Sequence, residues 1–367
     1  MENKKYWCAF SKLTKAGPAF VNRLYKHFGS IELCWNAQEY DLYRIEGLQK
    51  RAIEGFLQEK PQINPDECLE YIEKRGIKFI CLEDEEYPYL LKQIDTPPTG
   101  LFILGDLSLC NLDRTIAAVG SRRASENAKK ALTNIIAGFE NTDVCIVSGL
   151  AEGIDTIAHR SALDNNIKTI AVIGGGFDQI YPKSNIKMFN EIIDGKGAVM
   201  TEYWPDVEAI SWHFPARNRI VSGLSKGVLI AEAALKSGAM ITANLALEQG
   251  RELMCMPGLI SNPNTQGIYK LIKTGATIVT ETQDILDAMN WQINFNPKSD
   301  KEDISDLSNF SEEEQTIIEC VRRDALTMDE IILKTGLNIT DLMVILTRLE
   351  LNGIVSKIDG EKYISQI

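Results

Sequence analysis

From Thr115 onward the chain alternates between short apolar runs and amphipathic stretches, and this alternation leaves few folds open. The runs fall at Thr115–Val119, Val144–Val147, Thr169–Ile173, Ala198–Met200, Gly227–Ala231, Glu252–Met256 and Ala276–Val279. They are near-continuous in Val, Ile, Ala and Met, the pattern of strands buried on both faces of a parallel sheet. Amphipathic segments such as Ser125–Glu140, Gly153–Asn165 and Ala239–Gln249 separate them. Strand and helix in alternation predict a doubly wound α/β domain. Ligands of such a sheet sit outside the carboxyl ends of its strands.

The flanks read differently. Residues 1–65 show helical spacing, with Leu42, Ile45, Leu48, Ile53 and Phe56 on a 3–4 residue period. Phe28-Gly29-Ser30 and Ile45-Glu46-Gly47-Leu48 punctuate this region with glycine. Both resemble worn helix-hairpin-helix units, and a plain helical packing module is the alternative. Asp95-Thr96-Pro97-Pro98 leads into an apolar strand at Leu101–Leu104. Residues 291–309 are polar and read as a linker. Beyond it, Ser311-x-x-Glu314 and Thr327-x-x-Glu330 carry capping-box spacing. A third helix after Asn338 presents Leu342, Ile345, Leu346 and Leu349 on one face, and Asp359-Gly360 signals a type I′ hairpin. Three helices and a hairpin at 310–367 predict a winged helix.

Charge narrows the partners. The net charge of −12 argues against a general polyanion binder. The excess is uneven, however: residues 113–227 hold 13 Lys/Arg against 13 Asp/Glu, and residues 301–367 hold 7 against 14. The acidic end favours protein contact over DNA contact for the winged helix. Eight cysteines are scattered singly, with no C-x-x-C pair and only three histidines, so metal chemistry is not expected. No apolar run approaches the roughly 18 residues of a membrane span. The polar start, Met1 to Tyr6, carries no signal core, so a cytoplasmic protein is expected.

Candidate chemistry lies in the loops after the strands. Gly120-Ser121-Arg122-Arg123-Ala124-Ser125 offers a turn, a hydroxyl, a guanidinium and free helix amides, which together suit a phosphate. Ser148-Gly149, with Asp155 at the next helix start, permits close backbone approach. Gly174-Gly175-Gly176-Phe177-Asp178, followed by Tyr181-Pro182-Lys183-Ser184-Asn185, lacks the dinucleotide fingerprint. Trp212 and Phe214 precede Arg217-Asn218-Arg219, mixing stacking and phosphate-binding groups. Ser237-Gly238 marks one more strand-to-helix turn. Arg122, Lys183, Arg217 and Arg219 are expected to form one phosphate track. Gly223-Leu224-Ser225-Lys226-Gly227 matches a nucleophile elbow in letters only, because a helix precedes it and a strand follows. His159 reads as a structural histidine.

GSRRAS (120–125), SGLAEGIDTIAHRSAL (148–163), GGGFD…YPKSN (174–185), FPARNRIVSGLS (214–225), EAALKSGAMITA (232–243) and GRELMCMPG (250–258) stand in this order along the chain. The set resembles the DNA-processing protein A family, also called Smf, over roughly residues 65–290. That resemblance implies an extended Rossmann domain over 66–290, without cofactor or catalysis, behind a helix-hairpin-helix or SAM-like domain at 1–65. It implies a cytoplasmic homodimer that binds single-stranded DNA in natural transformation, protects it and loads the RecA recombinase. Phosphate contacts would fall on Gly120, Ser121, Arg122, Ser148, Gly149, Lys183, Asn185, Arg217, Asn218, Arg219, Ser237 and Gly238, and dimer contacts on Tyr269 and Ile272. Glu152 departs from the basic or neutral residue the family often has there. The rival resemblance is to nucleotide-processing hydrolases of the lysine-decarboxylase-like type. Their P-G-G-x-G-T loop is represented here only by Pro257-Gly258-Leu259-Ile260.

Overall fold

A computed structural model describes residues 3–195, 197–292, 310–323, 325–351, 354–358 and 362–365. It divides into two compact units, 1–293 and 294–367. The expected linker from residue 293 onward, and the Asp359-Gly360 turn, lie outside the described residues.

The first unit opens with six helices: α1 (Lys4–Phe10), α2 (Pro18–Phe28), α3 (Ile31–Asn36), α4 (Glu39–Leu42), α5 (Lys50–Glu59) and α6 (Pro65–Lys74). Local chemistry sets their ends. Pro18 opens α2, where its missing N–H costs nothing, and Gly29 closes it in the left-handed region at φ 71°. The expected glycine junctions are therefore real helix junctions. Strand β1 (Lys78–Cys81), helix α7 (Tyr89–Lys92) and strand β2 (Gly100–Gly105) follow.

The alternating region then supplies β3 (Thr115–Val119), α8 (Glu126–Ala137), β4 (Cys145–Ser148), α9 (Ile154–Asp164), β5 (Lys168–Val172), α10 (Ile186–Asp194) and β6 (Gly197–Thr201). It continues through α11 (His213–Gly223), β7 (Gly227–Ile230), α12 (Gly238–Glu248), β8 (Glu252–Cys255), α13 (Gln266–Lys273), β9 (Thr277–Ile278) and α14 (Thr282–Ala288). All nine strands form one sheet in the order β1-β2-β6-β5-β4-β3-β7-β8-β9. Strands β3 to β9 run parallel, as their apolar runs imply, and β1 and β2 add an antiparallel edge through β2 against β6. The order reverses between β3 and β7, which makes that edge the switch point of a Rossmann-like fold.

Alternation along the strands sorts the core onto two faces. Ile170 and Val172 of β5 join Leu101, Ile103, Val228 and Ile230 beneath α11, α12 and α13. Ala171, Val199 and Phe102 point the other way, toward α10 and the N-terminal helices. Trp7, Phe10 and Phe56 share that second core with Phe79, Phe102 and Trp204. The expected division at residue 65 thus falls inside one compact unit, because the first six helices complete the core over the antiparallel edge instead of closing one of their own.

The second unit holds α15 (Glu312–Arg323), β10 (Leu326–Thr327), α16 (Met328–Thr335), α17 (Ile339–Leu351), β11 (Val355–Ile358) and β12 (Lys362–Ser365), with sheet order β10-β12-β11. It is a winged helix. Both capping boxes form: Ser311 with Glu314, and Thr327 with Glu330. Leu342, Ile345, Leu346 and Leu349 are buried together, as their spacing requires.

Candidate nucleic-acid interface

Helix α11 carries the decisive side chain. Pro215 falls in its first turn, where a proline costs no hydrogen bond. Two residues later Arg217 is only 4 % exposed. Its guanidinium lies against Gly149, where a Cβ would stand 1.5 Å from Nη1, so only glycine leaves room for it. Among the described residues Arg217 makes no ion pair and no protein hydrogen bond, and its Nε is buried without a partner. Burial pushes the guanidinium below its ordinary pKa, and nearby Arg122 adds to this, while Asp155 opposes it. A buried charge left without a partner is costly. An incoming anion would relieve that cost.

The surrounding loops hold this arrangement rigid. Ser148 donates to the Ala118 carbonyl at 2.7 Å and ties the end of β4 to β3. The Asp155 carboxylate accepts from the amides of Gly149 at 3.1 Å and Ala151 at 3.4 Å, fixing the turn beneath Arg217. Burial raises the Asp155 pKa, with Arg217 opposing. Asn185 is buried and donates to Leu150 O at 2.9 Å and Thr156 Oγ1 at 2.9 Å, so the Tyr181–Asn185 stretch is pinned to the same turn. Ser148 and Asn185 are positioning residues, the Ser148 hydroxyl and the Asn185 Nδ2 being spent on the protein.

Arg122 stands exposed above this floor, its guanidinium 5.2 Å from the centre of the Phe214 ring. Phe214 in turn meets Tyr181 at 5.7 Å. Arg122, Gly149, Ala151, Glu152, Phe214 and Arg217 line one notch of about 10 Å³, closed by Tyr181 and Pro182, and Lys183, next in the chain, is exposed. A space of that size holds roughly one water. It therefore suits a group presented from outside, such as a backbone phosphate, and not an engulfed nucleotide. Exposed Glu152 places a carboxylate at the same rim.

Two expectations are corrected here. The start of α8, expected to offer free amides, is partly taken by the chain's own groups, with Ser125 Oγ accepting from Ala128 N at 3.3 Å. Glu232, 1 % exposed after β7, accepts from Ser125 N at 3.3 Å and from Ser125 Oγ at 2.6 Å, and Asn262 Nδ2 donates to it at 3.3 Å. The protein's own carboxylate thus sits against the N-cap residue of α8 at the switch point. Ser121 belongs to the same closure, with its amide donating to Glu232 O at 2.8 Å and its hydroxyl accepting from Arg123 N at 3.1 Å. Gly120 is pressed against Ile154 and Glu232 O. The triglycine loop is likewise taken: a Cβ on Gly176 would lie 2.2 Å from the carbonyls of Trp204 and Pro205. Those glycines admit the chain's own segment, not a ligand.

The second correction concerns the expected track. Two residues along a helix turn through about 200°, so Arg217 and Arg219 leave α11 on opposite sides. Arg219 forms a buried ion pair with Glu202, whose carboxyl is raised by burial against the pull of Arg219. The structure brings Arg122 and Arg217 to one notch, with Lys183 next in the chain after its wall residue Pro182, and leaves Arg219 behind the helix. Asn218, half-buried, lies between the two arginines. Ser237 and Gly238 start α12, where the Ser237 hydroxyl is spent on Ala234 O at 2.8 Å. In α13, Ile272 packs against the core and the Tyr269 hydroxyl donates to Gly258 O. Ser225 sits buried between α11 and β7, donating to Val221 O at 2.9 Å, so the elbow resemblance carries no nucleophile. Sequence reasoning missed Glu232, although an acid directly after a wholly apolar strand is a signal that it needs a buried partner.

Comparison with known proteins gives the family. The sequence profile described as DNA recombination-mediator protein A matches residues 78–290. The chain belongs to that family, DprA or Smf. A DprA winged helix domain profile matches residues 300–361. Similar relatives include Protein Smf of Synechocystis sp., 31% identical over 98% of both chains. DNA processing protein DprA of Streptococcus pneumoniae is 41% identical over 67% of this chain and 85% of its own. The solved DprA of Streptococcus pneumoniae superposes with a TM-score of 0.67 at 36% identity, covering 78% of this chain and 97% of that one. The DNA processing protein A of Helicobacter pylori, solved for its single-stranded DNA binding mode, gives 0.52 at 30% identity over 58% and 96%. Among the described residues no helix is long and apolar enough to cross a membrane.

Proposed function

We propose that this DprA-family protein holds single-stranded DNA by its phosphates, as a non-catalytic, cofactor-free homodimer, and delivers the strand to the RecA recombinase while shielding it. The observation that carries this is the buried guanidinium of Arg217, its Nε without a partner, beneath exposed Arg122 in a notch about the size of one water. Family membership and the likeness to the Helicobacter pylori DprA support the choice of strand. All eight thiols are free and seven are buried, which suits the reducing cytoplasm.

Arg122→Ala tests the reading. It removes an exposed cation, so folding should be untouched. A hydrogen bond to a charged group is worth about 1.5–3 kcal/mol, so affinity should fall roughly tenfold to a hundredfold. The log–log salt slope should flatten by about 0.7. The loss should be equal on oligo-dT and on mixed sequence, because phosphates carry no base information. Full affinity with an unchanged slope would sink the proposal.

A further inference from the structure

A chamber of about 990 Å³ separates the N-terminal helices from the segment between β6 and α11. It lies at the top of the range of small-ligand pockets, roughly 300–1,000 Å³. Its lining is mostly apolar and notably aromatic. Tyr203 stacks on His213 with ring centres 4.0 Å apart, and Trp204 lies under the Lys12 ammonium at 5.1 Å. Trp212, 69 % exposed, contributes to the same wall. Lys15 and Arg23 also line it from the α1–α2 segment, and Arg219 from behind with Nη1 buried and unpartnered. Glu202 and Glu208 are the carboxylates on the opposing side.

The first turns of α11 wall both this chamber and the phosphate notch: Phe214 and Arg217 face the notch, while His213 and Ala216 face the chamber. A strand anchored on Arg122 therefore needs only to round one helix end to reach an aromatic chamber with cations around it.

The geometry points to this chamber as a second site on the same strand, receiving unpaired nucleobases that stack on Trp212 while Lys12 and its basic neighbours meet the phosphates. The inference rests on the single-strand reading above. It gives the N-terminal helices a share in DNA binding, built jointly with the α/β domain and unrelated to the amides of a helix hairpin.

Two substitutions at exposed positions, Trp212→Ala and Lys12→Glu, leave the core intact. Each is compared with wild type and Arg122→Ala on the shortest oligo-dT that wild type binds and on one twice as long. Stacking one base on an aromatic side chain changes affinity roughly 5- to 100-fold. The chamber variants should lose that factor on the long strand and keep wild-type affinity on the short one, while Arg122→Ala weakens both. Photocrosslinking of 4-thiothymidine strands to wild type should label the segments 203–213 and 10–15. If both chamber variants bind the long strand as wild type does, and no label enters these segments, the chamber is packing space and the inference falls alone. If wild type binds neither strand, the single-strand reading falls and takes this inference with it.

Discussion

Arg219 and Arg122 should fail in opposite ways when truncated. Arg219→Ala leaves Glu202 buried without a counter-ion, a change that costs about 3–5 kcal/mol. Urea melts should show that loss, while the folded fraction keeps DNA affinity within a few fold on the short strand; a fully stable variant would overturn the assignment. His159 offers a second residue-scale test. The single proton of the Thr169 hydroxyl goes to Ile146 O at 2.8 Å, so its oxygen must accept from His159 Nδ1, also at 2.8 Å. Nε2 is then a bare, buried acceptor, and burial lowers the His159 pKa to about 3 from 6.5, with Arg217 adding to it. Below pH 6.5 the unfolded chain takes up a proton that the folded chain declines. The contribution is complete above 6.5 and is lost as pH falls toward 3, by about 1.4 kcal/mol per unit. His213, also lowered by burial, acts in the same direction. The readout is therefore the difference between wild type and His159→Gln, which should show a shallower decline between pH 6 and 5.

At the scale of elements, α13 and the loop before it are where the homodimer contact is expected. Ile272 packs on the core, so a charge there would disturb folding along with assembly. Leu259 and Ile260 are exposed in the adjoining loop, next to the Gly258 carbonyl that binds Tyr269. Leu259→Glu/Ile260→Glu should yield folded monomers by light scattering; an unchanged dimer would place the contact elsewhere. The parallel strands are legible in the amino-acid sequence, since runs such as Thr169–Ile173 leave a buried strand little alternative, and β5 is displaced from that run by one residue. The capping boxes of α15 and α16 are equally legible, because both partners lie within one turn. Arg217 and Arg219 look alike in sequence, and only the helical period and a glycine 68 positions upstream separate the arginine of the notch from the one paired with Glu202. Glu232 stays hidden because its partners, Ser125 and Asn262, meet it only through the order of strands. Strand β1 goes unread because its four residues match no longer pattern.

For the molecule as a whole, the acidic winged helix should be dispensable for the first contact with DNA. Residues 301–367 hold 14 Asp/Glu against 7 Lys/Arg. In α17, Ile339, Met343 and Val344 are exposed, so apolar groups stand where a groove-reading helix would carry cations. A chain ending after Asn290 should keep single-strand affinity within a few fold. A loss of a hundredfold or more, with the remaining unit folded, would assign DNA binding to the winged helix after all.

Glu232 has a consequence beyond shape. A Rossmann cradle left open would compete for every phosphorylated metabolite in the cell, and its occupancy would follow energy supply and redox state. With the Glu232 side chain seated against Ser125, less of that cradle is left to a free nucleotide. On the single-strand reading proposed above, grip on the strand would respond to salt and to DNA supply, with free nucleotides poor competitors for it.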